Sequence, residues 1–189
     1  MTRFLFLLTL VLVPPSLLHA QEEVRFSPPP GAYASPQEVT ISGREDLFFR
    51  LAEGERFLPV EGPIMLDALP GTVERYRLEF HTGEAAAEPQ SVDYTIDRRP
   101  PLPPSSELPE GRYLSPVNVR FQESDGLTLE YRRNGSYVPF PSSGLLLDPG
   151  SGRREVYTLR VRAVDAVGNS SAPAELLYVV DRTFDILLS

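Results

Sequence analysis

The sequence predicts an all-β protein built from two tandem antiparallel β-sandwiches. Three observations carry this. First, the chain contains a long repeat: Tyr33-Ala34-Ser35-Pro36-Gln37-Glu38-Val39 returns as Tyr113-Leu114-Ser115-Pro116-Val117-Asn118-Val119, with a glycine two places before each tyrosine. The copies also close on matching strands, Tyr94-Thr95-Ile96-Asp97-Arg98 and Tyr178-Val179-Val180-Asp181-Arg182, so whole folded units are duplicated. Second, apolar residues alternate with polar ones at strand spacing throughout both copies. Third, 20 prolines break any long helix, and no segment shows a convincing helical period.

The first unit is expected over residues 24–98. Val39 and Ile41, then Phe49 and Leu51, then Ile64 and Leu66 fall two apart. Tyr76, Leu78 and Phe80 alternate with Arg75, Arg77 and Glu79, which sends one row into a core and the other into water. The last strand sets Val92, Tyr94 and Ile96 against Asp93 and Asp97. Turns are expected at Gly43-Arg44-Glu45-Asp46, Ala52-Glu53-Gly54-Glu55, Leu69-Pro70-Gly71 and Thr82-Gly83-Glu84.

The second unit is expected over 110–183 with the same order of elements. Val119 and Phe121 flank Arg120, Leu129 and Tyr131 flank Glu130, and Leu145 to Leu147 form a short central strand. Leu159, Val161 and Ala163 alternate with Arg160 and Arg162, and Leu177 and Val179 oppose Tyr178 and Val180. The spacing between equivalent residues grows along the chain, so insertions fall in turns while strands stay in step. Six or seven short strands per unit, separated by regular turns, are the pattern of a small sandwich. Between the units, 99–109 is a proline-rich linker whose early part favours an extended polyproline conformation. The apolar tail 184–189 either packs locally or belongs to a longer array.

Residues 1–20 resemble a secretory leader: Arg3, an apolar run from Phe4 to Val13, and a small residue at Ala20. Cleavage is expected after Ala20, an uncleaved anchor being the competing reading because Leu18 stands where a small residue is usual. The apolar run is too short for a stable span, and no later segment could cross a bilayer. The expected location is therefore the periplasm, the cell surface or the medium. The chain has no cysteine, which removes disulfides, thiol catalysis and a lipidated amino terminus. A net charge of −8, with every basic residue an arginine, disfavours nucleic acid and anionic membrane as partners.

Nothing in the residues points to catalysis, so the chain reads as a non-enzyme with no cofactor and no metal. His81 is the one histidine beyond the leader. Asp165-Ala166-Val167-Gly168-Asn169 has one carboxylate where calcium wants six to eight oxygens, so a tight strand connection capped by Asp165 is expected. Asp67 and Asp148 occupy matching places before proline-glycine turns, which suits turn capping and not a facing catalytic pair. Tyr33 and Tyr113 sit where a ring can close one end of each core, exposed aromatic binding being the second reading. Phe57-Leu58-Pro59-Val60 and Tyr137-Val138-Pro139-Phe140 are paired apolar segments, either proline-protected edge strands or a repeated contact surface. Phe57, Tyr137 and Phe140 are accordingly the candidate contacts for a partner or glycan, with Phe48 a further surface aromatic.

The stretch from Phe26 to Ile41, built around Gly31-Ala32-Tyr33-Ala34-Ser35-Pro36, resembles the start of the chitobiase/β-hexosaminidase carboxy-terminal type of domain. That is a bacterial immunoglobulin-like sandwich found beside enzymes and in surface proteins. Glu110-Gly111-Arg112-Tyr113-Leu114-Ser115-Pro116 is a weaker copy, and Val161 to Ser170 is similar to the penultimate hairpin of that family and of related bacterial repeats. The resemblance implies two immunoglobulin-like sandwiches with an accessory, non-catalytic task. The chain departs from the family in its middle signature, reduced to Phe49-Arg50-Leu51-Ala52-Glu53-Gly54 and Tyr131-Arg132-Arg133-Asn134-Gly135-Ser136. The first copy also has His81-Thr82-Gly83-Glu84 in place of the Asp-x-x-Gly-Asn turn. The expected function is a structural spacer or protein-interaction module of the bacterial envelope, partnered by an envelope protein. The alternative is a carbohydrate-binding accessory module for chitin-like or cell-wall glycans.

Overall fold

The computed structural model describes residues 23–51, 56–83, 88–122 and 125–183. The leader and the tail 184–189 lie outside the described residues, as do the whole of the expected turn at 52–55 and Glu84 of the turn at 82–84.

Two β-sandwiches follow one another, each with its own core. In the first, β2 (Gly31–Tyr33), β8 (Gln90–Asp97), β7 (Val73–Thr82), β4 (Leu47–Arg50) and β5 (Leu58–Pro59) lie side by side in that order. A smaller sheet of β1 (Arg25–Ser27), β3 (Gln37–Ser42) and β6 (Ile64–Leu66) faces it. Val39, Ile41, Ile64 and Leu66 from the small sheet meet Leu47, Leu78, Phe80, Tyr94 and Ile96 from the large one. These are the inward members of the alternating rows, and their burial is what favours this register over a slip by one residue.

The second sandwich repeats the plan with β12 (Ser136–Pro139), β11 (Thr128–Arg133), β14 (Arg154–Val164), β15 (Ala174–Asp181) and β9 (Gly111–Tyr113) in the large sheet. The small sheet holds β10 (Val117–Val119) and β13 (Leu145–Leu147). Its core is Val119, Phe121, Leu147, Leu159, Val161, Tyr178 and Val180. Asn134 and Gly135 both have positive φ, 51° and 91°, and join β11 to β12 in a two-residue turn. That mirror-image geometry matches the twist of the flanking strands.

The large sheets are mixed and not purely antiparallel. The Gly-x-Tyr strands β2 and β9 run parallel to the last strands β8 and β15. Tyrosine pairs hold this arrangement. Tyr33 Oη donates to the Pro29 carbonyl and Tyr113 Oη to the Pro109 carbonyl, both at 2.5 Å. Their rings stand 6.4 Å from those of Tyr94 and Tyr178, which are fully buried and donate to the Pro28 and Leu108 carbonyls at 2.9 and 3.0 Å. Each Gly-x-Tyr-x-Ser-Pro motif thus pins the opening segment against the closing strand. In the proline-rich stretch, Ser106 bridges to Phe121 and its hydroxyl meets Tyr178 Oη at 2.9 Å, while Leu108 packs on the second core.

Candidate functional site

The turn that joins β14 to β15 is densely hydrogen-bonded. Asp165 Oδ1 accepts the amides of Val167 and Asn169 at 3.0 and 2.8 Å, and Asp165 Oδ2 accepts Asn169 Nδ2 at 2.9 Å. The Asp165 amide donates to the Asn169 carbonyl at 3.0 Å, closing the loop. Gly168 takes φ +97°, a conformation that L side chains resist. Behind the loop, buried Ser171 exchanges bonds with Ala163: its amide donates to the Ala163 carbonyl at 2.8 Å and its Oγ accepts the Ala163 amide at 2.9 Å. Both carboxylate oxygens of Asp165 are therefore engaged by the loop itself, which is a turn cap and not a cation shell.

The loop also reaches the other repeat. Asn169 Nδ2 donates to the carbonyl of Asp97 at 2.8 Å, at the end of the last strand of the first sandwich. The contact joins the two repeats. The antiparallel geometry explains it: the β14–β15 turn lies at the opposite pole from the end of β15, so the second sandwich meets the end of β8 with that turn. Asp97 is itself held, because its Oδ1 accepts the Arg99 amide at 2.9 Å as the chain leaves β8.

Asp67 and Asp148 prove to be equivalent turn anchors. Asp67 Oδ1 accepts the Ala68 amide at 2.7 Å and pairs with Arg98 at 3.2 Å. Asp148 Oδ1 accepts the Gly150 amide at 2.8 Å and pairs with Arg182 at 2.9 Å. The Gly150 amide and then Arg182 hold the Asp148 carboxyl below its ordinary range. Asp181, buried beside Arg112 at 2.6 Å, is also lowered, chiefly by the Thr183 hydroxyl and amide and then by Arg112.

The three candidate contact residues do not form one row. Phe140 packs against the second core, edge-on to Phe121 and Tyr131 with ring centres 5.1 and 5.6 Å away. Phe57 and Tyr137 stand beside or on the outermost strands, β5 and β12, on the outer faces of the large sheets of different sandwiches. Each has a guanidinium over its ring, Arg50 at 4.5 Å from Phe57 and Arg162 at 4.1 Å from Tyr137. Phe48 stacks on His81 at 5.3 Å, and Phe57 meets the same imidazole edge-on at 4.5 Å. His81 is thus the hub of an aromatic cluster on the first sheet, a part that its isolated place in the sequence did not reveal.

Among the described residues no group of three or more His, Asp or Glu side chains could hold a metal ion, and no helix is long and apolar enough to cross a membrane. The carboxylates are dispersed into cross-strand pairs, Arg50–Glu79, Arg160–Glu175 and Arg162–Glu130 among them. The joint at Asn169 was missed from sequence because it spans two repeats. Its one signal was asymmetry, since only the second copy has the Asp-x-x-Gly-Asn turn and only that turn meets a preceding sandwich.

No protein-family model matches the chain, and no curated protein matches it. Among solved structures it is similar to the fibronectin(III)-like modules of Clostridium thermocellum CbhA, at 10% identity and a TM-score of 0.45, over 85% of this chain and 95% of that one.

Proposed function

We propose that the protein is an exported, non-catalytic spacer of the bacterial envelope, in which two sandwiches are held at a set angle to display or separate other envelope components. The observation that carries this reading is the 2.8 Å bond from Asn169 Nδ2 to the Asp97 carbonyl. The donor is oriented by Asp165 of its own loop, a bond that does not depend on the first sandwich, so little freedom is lost when the modules meet. The stiff Arg99-Pro100-Pro101 exit from β8 works in the same direction. Accessory sandwiches of the chitobiase carboxy-terminal type, which the repeat motifs resemble, suit such a task. The glycan reading has less support, because Phe140 is committed to the core and one face each of Phe57 and Tyr137 lies under a guanidinium.

The test is the relative motion of the two modules. Residual dipolar couplings and ¹⁵N relaxation on the chain from residue 21 are expected to fit one alignment tensor and one correlation time. Asn169→Ala is expected to split them into two sets while the amide shifts within each sandwich stay in place. Two independent tensors in the unsubstituted protein would refute a spacer of set geometry. Export is checked separately, by fractionating cells that express the full chain and finding an amino terminus at Gln21.

A further inference from the structure

The two sandwiches differ at one spot where their backbones superimpose in register. Phe49 pairs with Phe80 in the first and Tyr131 with Val161 in the second, so Arg132 takes the place of Arg50, Arg160 that of Glu79, and Tyr137 that of Phe57. In the first sandwich Arg50 is satisfied twice on the outer face of the sheet. Its Nε donates to Glu79 Oε2 at 2.6 Å and its guanidinium lies over Phe57.

In the second sandwich Arg132 makes neither contact. Where Glu79 stood there is a second cation, Arg160, which pairs instead with Glu175 on β15 at 3.1 Å. Tyr137, the counterpart of Phe57, is covered by Arg162, itself fixed by Glu130 at 2.7 Å. Among the described residues Arg132 makes one side-chain hydrogen bond, from Nε to the Gly135 carbonyl at 3.3 Å, and its terminal amino groups meet no carboxylate. Like charges at facing positions of neighbouring strands are destabilising. Here they also share a recess of about 450 Å³ lined by Arg132, Gly135, Thr158, Arg160 and Glu175. In a chain of net charge −8 this is a local inversion of sign.

We propose that this recess binds a carboxylate of an acidic peptide segment belonging to a partner protein. A guanidinium fork matches the two oxygens of a carboxylate, and Arg132 can offer its terminal amino groups to one while the neighbouring Arg160 adds positive charge. Thr158 supplies a hydroxyl donor, and Glu175 steadies Arg160 by pairing with it. A peptide fits better than a sugar, because none of the five lining residues carries a ring on which a sugar could stack. The site goes beyond the spacer reading and is independent of it: losing the anion would leave the joint at Asn169 intact, and a flexible joint would leave the recess intact.

The test is titration of the ¹⁵N-labelled chain from residue 21 with a hexaglutamate peptide at low and at physiological salt. Saturable shifts are expected in the amides of 132–137, 158–160 and 175, with affinity falling as salt rises. Arg132→Ala is expected to weaken binding about tenfold, the equivalent of one charged hydrogen-bonding partner. Arg77→Ala, the same change of charge on the first sheet, is expected to leave it unchanged. Arg160→Glu combined with Glu175→Ser restores the first sandwich's arrangement, and is expected to raise the melting temperature while abolishing binding. Absence of saturable shifts, shifts centred elsewhere, or unchanged affinity in Arg132→Ala would overturn the proposal. Equal affinity for an oligogalacturonate at the same amides would overturn the assignment to a peptide.

Discussion

The buried tyrosines of the closing strands offer a comparison internal to one molecule. Tyr94 and Tyr178 are equivalent and equally buried, and each lies beside the tyrosine of its opening motif, stacked against Tyr33 in the first sandwich and tilted against Tyr113 in the second. They differ in what their hydroxyls do. Tyr94 Oη makes one bond, to the Pro28 carbonyl at 2.9 Å. Tyr178 Oη makes two, to the Leu108 carbonyl at 3.0 Å and to Ser106 Oγ at 2.9 Å, and Ser106 Oγ in turn accepts the Leu108 amide at 3.1 Å. Replacing either tyrosine by phenylalanine leaves the ring and its packing and removes only the hydroxyl. At about 1 kcal/mol for each hydrogen bond, Tyr94→Phe should cost the first sandwich about 1 kcal/mol and Tyr178→Phe should cost the second about 2 kcal/mol. Native-state hydrogen exchange reads each module separately, so it avoids treating a two-domain chain as two-state. Exchange of the slowest amides is expected to quicken about fivefold in β8 for Tyr94→Phe and about thirtyfold in β15 for Tyr178→Phe. Equal effects would refute the claim that Ser106 and Leu108 are structural parts of the second sandwich. Loss of protection in the untouched module would refute separate cores.

Two further predictions concern the cores and the response to pH. Leu66 is buried while its neighbour Met65 is 63% exposed, so Leu66→Ala should cost roughly 2–5 kcal/mol and Met65→Ala less than about 0.5 kcal/mol, checked by urea unfolding. Asp148 and Asp181 have folded-state pKa values lowered below 3.8, so their stabilisation is present above that pH and fades as the pH falls through the lowered values. The second sandwich should therefore lose stability in acid below about pH 4, and Asp181→Asn should flatten that dependence in a series of melting curves. Burial, with the Tyr33 hydroxyl beside it, pushes Tyr94 up to about 12 from 10.0, so the unfolded chain ionises first and stability should fall between those values as the pH rises. Tyr94→Phe should remove that alkaline loss from the first sandwich.

Much of the architecture was legible in the residues. Val39, Ile41, Leu78, Phe80 and Ile96 alternate with polar partners, and burial follows that alternation. Asn134-Gly135 dictated its turn, because few other pairs tolerate two positive φ angles. The parallel pairing of β2 with β8 was not legible, since alternation says which way a side chain faces and nothing about the direction of the neighbouring strand. Nor was the task of the surface aromatics: Phe140 reads like Tyr137 in one dimension, and only its place beside Phe121 sends it inward.

The amino-acid sequence by itself determined two sandwiches, their cores and the Gly-x-Tyr-x-Ser-Pro clamps, because periodicity and turn chemistry act over a few residues. Tertiary structure alone decided how the repeats meet and where their faces differ. The Asn169–Asp97 bond joins residues far apart in the chain. Arg132 is distinguished from Arg50 only by what the neighbouring strands set beside it. Charges and amides act through distance in space, and a sequence records distance along the chain.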